Sequence, residues 1–140
     1  MRLTTKGRLA VTALVDLATR PGDAPVTLKT IGARRNISVS YLEQLFGKLR
    51  RHKIVKATRG PGGGYSLAAI GAEISIASII RAVDESPVVA KRSCRGGSRD
   101  QMPRCIDELW FGLNEAMYAH VSGISLQHLV DQHLLEEKRR

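Results

Sequence analysis

Between Val39 and His52 the chain reads VSYLEQLFGKLRRH. Leu42, Leu45, Phe46 and Leu49 recur at spacings of three and four, which makes one apolar stripe on an α-helix. Ser38 or Ser40 can cap its start, Ser40 with Glu43 fits a capping box, and Arg50, Arg51 and His52 suit the carbonyl end. Ser40, Tyr41, Glu43, Gln44, Lys48 and Arg51 fall off the stripe and are free to meet something outside the core. Ahead of this helix, Thr27 caps a shorter one from Leu28 to Arg35, and Asn36 suits a left-handed stop. Two helices across a short turn form a helix-turn-helix, whose second helix enters a major groove in DNA-binding proteins.

The flanks agree. Val55–Thr58 and Tyr65–Leu67 are short strand-like runs around Arg59-Gly60-Pro61-Gly62-Gly63-Gly64, which predicts a β-hairpin or wing with Arg59 at its base. The glycine run lacks a following Lys-Ser/Thr and leads into a strand, so it does not read as a nucleotide phosphate loop. From residue 29 to residue 59 the basic residues are Lys29, Arg34, Arg35, Lys48, Arg50, Arg51, Lys53, Lys56 and Arg59, against the single acid Glu43. That is an electrostatic footprint for phosphate. The bland alternative is a solvated basic surface with a glycine loop. Charge, paired helices and wing coincide, which favours DNA.

At 140 residues and 43% hydrophobic content the chain suffices for one folded core, or a small domain with a dimerising arm. Its net charge of +9 calls for an acidic partner, nucleic acid before an anionic membrane. No apolar run approaches the roughly 20 residues of a membrane span, and the N-terminus lacks a signal-peptide core. A cytoplasmic protein is expected. In that reducing compartment Cys94 and Cys105 read as thiols or metal ligands, not a structural disulfide.

A supporting helix is expected from about Thr4 to Thr19, with Lys6 and Arg8 either phosphate contacts or a solvated helix end. After the wing, residues 73–83 read as a short strand or entry and then a helix with Ile76, Ile79, Ile80 and Val83 on one face. Periodicity vanishes from Ser86 to Pro103. A helix follows from about Arg104 to Val121, with Ile106, Leu109, Trp110, Leu113, Met117 and Val121 as a stripe suited to a second subunit. Docking on the chain's own core is the alternative. Ser125 caps a last short helix from Leu126 to about Leu134, and a charged, frayed tail ends the chain.

The segments MRLTTKGRLAVTAL, SVSYLEQLF, RGPGGGY and AVDES, in this order, resemble the IscR-like winged helix-turn-helix regulators of bacteria, a group with NsrR and CymR relatives. The resemblance runs from Met1 to about Val130. It implies a mostly α fold in which a winged helix-turn-helix is joined to a long C-terminal dimerisation helix. It implies that Ser38, Ser40, Tyr41, Glu43, Gln44 and Arg59 read bases or phosphates and that the Gly62-Gly63-Gly64 wing approaches the backbone.

The same resemblance implies a [2Fe–2S] cluster held by three loop cysteines and a histidine at the start of the dimer helix. This chain departs from that pattern. Only Cys94 and Cys105 are present, the middle cysteine column falls close to Ser98, and the histidine column falls on Asp107. Three readings stay open: an atypical cluster on Cys94 and Cys105 completed by Asp107, Glu108 or the other subunit; a thiol redox switch; or two inert thiols. His120, His128 and His133 read as surface or interface residues.

The domain organisation expected is 1–85 winged domain, 86–103 cysteine loop, 104–134 dimerisation and C-terminal helices, and 135–140 frayed tail. The expected function is sequence-specific regulation of transcription by a homodimer on double-stranded DNA, with iron–sulfur or redox sensing. A cofactor-free regulator and a non-specific basic nucleic-acid-binding protein are the alternatives. No Ser/His/Asp set, paired-carboxylate site or nucleotide loop is readable, so an enzyme is not expected.

Overall fold

A stripe of four large apolar side chains cannot stay in water, and everything around Val39–Arg51 is arranged to cover it. In the computed structural model, which describes residues 5–20, 24–84 and 103–140, the helices are α1 (Thr5–Ala18), α2 (Leu28–Arg35), α3 (Val39–Arg51), α4 (Ile76–Asp84), α5 (Arg104–Ser122) and α6 (Leu126–Arg139). A hairpin of β1 (Val55–Thr58) and β2 (Gly64–Leu67) follows α3, and a 3-10 turn, Gly71–Glu73, precedes α4. Leu42, Leu45, Phe46 and Leu49 of α3 are all buried, packed with Ala10 and Leu14 of α1, Ile31 of α2 and Ile79 and Val83 of α4. Each such side chain contributes about 1.5–3 kcal/mol on burial. An eight-residue helix such as α2 is unstable alone and depends on that packing.

Local chemistry sets the helix ends. The Thr27 hydroxyl accepts the Thr30 N–H at 3.3 Å, and Asn36 ends α2 at φ 55°, ψ 48°. The turn is tight: a Cβ on Gly32 would lie 2.6 Å from the Ile37 carbonyl oxygen. Ser38 caps α3, its hydroxyl accepting the Tyr41 N–H at 3.3 Å. Ser40 therefore lies inside the helix, and the predicted Ser40–Glu43 capping box does not form. Of the two candidate serines, the one directly before Val39 has the extended backbone, φ −63° and ψ 140°, that a cap needs.

The hairpin pairs Val55 with Leu67, Lys56 with Ser66, Ala57 with Tyr65 and Thr58 with Gly64. Tyr65 also exchanges two backbone hydrogen bonds with Val26, at 2.9 and 2.8 Å, which ties the wing to the segment before α2. The expected entry into α4 is the 3-10 turn, and Ile76, Ile79, Ile80 and Val83 are buried as their spacing predicts.

The C-terminal helix differs from expectation in place and length. Leu126 and Val130 belong to the same core as α1 and α3, and backbone hydrogen bonds Ile76 N–H to Ile124 C=O (2.9 Å) and Leu126 N–H to Ile74 C=O (2.8 Å) fix its start beside α4. So α6 completes the winged domain and does not extend the arm. It also continues to Arg139, so the expected frayed tail 135–140 is helical almost to its end. Leu, Glu, Lys and Arg are strong helix formers, and Lys138 and Arg139 suit the carbonyl end.

In α5 no residue is buried. Its C-terminal part touches the domain, with Arg81 of α4 lying 4.3 Å over the Tyr118 ring and Val121 packed against the core. Among the described residues no helix is long and apolar enough to cross a membrane.

Candidate nucleic-acid interface

With its stripe facing inward, α3 turns the opposite face to solvent. Ser38, Ser40, Glu43, Gln44 and Arg51 are exposed, and Tyr41 is half-buried, its ring packed on the edge of the core. The Glu43 carboxylate has no ion-pair or hydrogen-bond partner among the described residues. Lys48 is placed differently from expectation. Its ammonium donates to the Val83 carbonyl at 3.4 Å, at the C-terminal end of α4, where a cation meets the negative end of the helix dipole.

The wing is fixed to this helix by an aromatic pair. Tyr65 of β2 packs edge-on against Phe46 of α3, ring centroids 5.0 Å apart and planes at 64°, an arrangement favoured by ring quadrupoles. At Gly64, φ is 152° and a Cβ would lie 2.5 Å from the Val26 carbonyl, so only glycine lets β2 pass the segment before α2. Gly60, Pro61, Gly62 and Gly63 form the tip, closed by the Gly63 N–H donating to the Gly60 carbonyl at 2.9 Å. Arg59 is exposed at its base. The structure thus holds the exposed face of α3 and the wing in one rigid relationship.

Not every basic residue in 29–59 is available. The carboxylate of Asp16 on α1, 1% exposed, accepts Arg35 Nε–H at 2.9 Å and lies 3.7 Å from Arg34 Nη1. Arg35 Nη2 is also 3.5 Å from His133 Nε2 on α6. Sequence reasoning misses Asp16. The signal is present, because Asp16 falls three residues after Ala13 on the apolar stripe of α1, where an acid requires a buried cation.

The expected metal site is only partly described. Cys94 lies outside the described residues, as does Ser98. Cys105 is a free, exposed thiol in the first turn of α5. Asp107, also exposed, stands two positions further along, and helix residues at that spacing point to different sides. Glu108, three positions from Cys105, is better aligned. Among the described residues no group of three metal-ligating side chains comes together. These residues alone do not fit a [2Fe–2S] cluster.

The comparisons with known proteins bear on this arrangement of helix pair, wing and projecting helix. The model of the Rrf2 family, described as iron-dependent transcriptional regulators, matches residues 3–132. The chain belongs to the Rrf2 family. An HTH-type transcriptional regulator of Neisseria meningitidis is 47% identical over 136 residues, covering 94% of this chain and 89% of that protein. IscR of Yersinia pestis is 44% identical over 142 residues, covering 97% and 84%. The solved structure of T. potens IscR superposes with a TM-score of 0.74 at 30% identity, covering 95% of this chain and 88% of that one. As an Rrf2 protein the chain is a transcriptional regulator of winged helix-turn-helix fold, among relatives named as regulators and not as enzymes.

Proposed function

We propose that this Rrf2 regulator recognises a specific operator in duplex DNA as a homodimer, with α3 in the major groove and the wing against the backbone. Ser38, Ser40, Tyr41, Glu43, Gln44 and Arg59 contact bases or phosphates, and Gly60–Gly64 approach the sugar–phosphate chain. The observation that carries the reading is Glu43. It is exposed and without a partner on a face bounded by Arg51 and Arg59, and a carboxylate there repels phosphate unless it accepts a hydrogen bond from a base such as cytosine N4. A non-specific nucleic-acid binder has no use for that acid.

The dimer is built on α5, whose Leu109 and Trp110 are 59% and 60% exposed in the protomer. Ile106, Leu113 and Met117 continue this face, and Val121 closes it against the core. Such a row of large apolar side chains in water calls for a partner. The protein works in the cytoplasm, beside its DNA. The Cys94/Cys105 segment senses iron–sulfur or redox status, a reading supported by the exposed Cys105 thiol at the start of that helix. Selection of duplexes from a random pool tests the central reading. A defined consensus is expected; equal retention of scrambled duplexes would refute it.

A further inference from the structure

A cleft of about 480 Å³ opens between the C-terminal end of α1 and the stem of the wing. That volume lies within the roughly 300–1,000 Å³ of small-molecule sites. Its walls include Leu17, Arg20, Lys56, Ser66, Leu67 and Ile70, and no residue of α2 or α3 lines it. It is therefore separate from the recognition face, and separate from Cys105.

Among the described residues its charged groups, Arg20 and Lys56, have one sign. Lys56 and Ser66 are directly opposed across the hairpin, so their side chains stand together on one face of the sheet. Arg20 enters from the end of α1, and its Nε is buried without a hydrogen-bond partner among the described residues. An unpaired buried donor is costly and marks a place where a partner is missing. Asp16, in the last turn of α1, engages Arg35 through Oδ1 and forms no ion pair with Arg20. The Asp16 Oδ2 is buried without a hydrogen-bond partner among the described residues. Among the described residues no carboxylate lines the cleft. A guanidinium, an ammonium and a hydroxyl beside an apolar wall fit an anion with a hydrocarbon part. The wall includes Ile70, left 65% exposed.

We propose that this cleft binds a small organic carboxylate with a branched or aromatic hydrocarbon group. The carboxylate accepts hydrogen bonds from Arg20, Lys56 and the Ser66 hydroxyl, in the planar geometry that guanidinium matches. The hydrocarbon lies against Leu17 and Ile70. The bound molecule joins α1 to β1, which leads directly into Arg59.

The test titrates full-length protein, methyl-labelled at Leu, Ile and Val, with 4-methylpentanoate at constant ionic strength. 4-Methylpentanamide, inorganic phosphate and a scrambled DNA duplex serve as comparison probes. The carboxylate is expected to shift the Leu17 and Ile70 methyls saturably, with the amide at least about tenfold weaker and phosphate without effect on them. Arg20→Gln and Lys56→Gln, each checked for a native methyl spectrum, should weaken binding about tenfold or more. The wild-type titration stands by itself if a variant fails to fold. Shifts spread over the whole basic surface, equal binding of the amide, or unchanged affinity in a folded Arg20→Gln protein would overturn the proposal. So would a duplex that reproduces the same Leu17 and Ile70 shifts, because the cleft would then receive DNA phosphate. All readouts but the last are made without DNA, so they stand even if operator binding fails.

Discussion

The Asp16 carboxylate on α1 accepts the Arg35 Nε–H at 2.9 Å, with Asp16 only 1% exposed and Arg35 29% exposed. This pair fastens the supporting helix to the last turn of α2, immediately before the turn that launches α3. His133 of α6 reaches the same guanidinium, 3.5 Å from Nη2. One cation thus links three elements.

Removing one partner of a buried pair costs about 3–5 kcal/mol, because a charge is left uncompensated. Arg35→Ala should fall near the lower end, since Arg34 remains 3.7 Å from the same oxygen. A double-mutant cycle of Asp16→Ala and Arg35→Ala in urea unfolding should show a coupling of about 1–3 kcal/mol. Strictly additive losses would mean that the pair does not hold the helices together.

Much of this architecture is legible in the residues themselves, because helix periodicity and caps are local. Leu42, Leu45, Phe46 and Leu49 name the buried face of α3; Thr27 and Asn36 mark the ends of α2, and Gly60–Gly64 mark the wing. What is hidden depends on partners distant in sequence. Counting basic residues cannot show that Arg35 answers Asp16, 19 residues away, or that Lys48 reaches the Val83 carbonyl, 35 residues away. The placement of α6 is hidden for the same reason: Leu126 and Val130 would serve an arm or a core equally well, and Ile74 and Ile124 decide it through backbone hydrogen bonds. The choice of Ser38 over Ser40 as cap rests on one residue's backbone angles, which spacing does not encode.

Trp110 tests the dimer. Its side chain is 60% exposed in the protomer, and large aromatics at the centre of an interface carry much of its energy. Trp110→Ala should weaken association by about 3–5 kcal/mol if the partner surrounds it as a core would. Trp110→Asp should give a folded monomer at micromolar concentration in sedimentation velocity. A dimer unaltered by the aspartate would exclude this face.

Arg59 tests the wing. Each phosphate contact contributes about 0.9 to the slope of log affinity against log salt. Arg59→Ala should weaken operator binding and lower that slope by about one contact. Arg140→Ala, at the exposed end of α6, should do neither. Fluorescence anisotropy across a salt series compares them directly, and identical behaviour of the two variants would remove Arg59 from the interface.

Glu43 separates reading a sequence from attracting phosphate. Ser38 provides the cap of α3 through the Tyr41 N–H, so Glu43 has no capping role to lose. Its side chain is exposed and unpartnered among the described residues, and Glu43→Ala should therefore change stability by no more than about 0.5 kcal/mol. Two effects on DNA are expected together. Affinity for scrambled duplexes should rise, because one repulsive charge has left a basic face. Discrimination at one or two operator positions should collapse, each having contributed about 1–3 kcal/mol through a hydrogen bond to a base edge. Parallel selections from a random duplex pool, by wild type and by Glu43→Ala, measure both at once. A relaxed consensus with tighter non-specific binding supports base reading. Tighter binding with the wild-type consensus intact would leave Glu43 as a charge that tunes affinity and reads nothing.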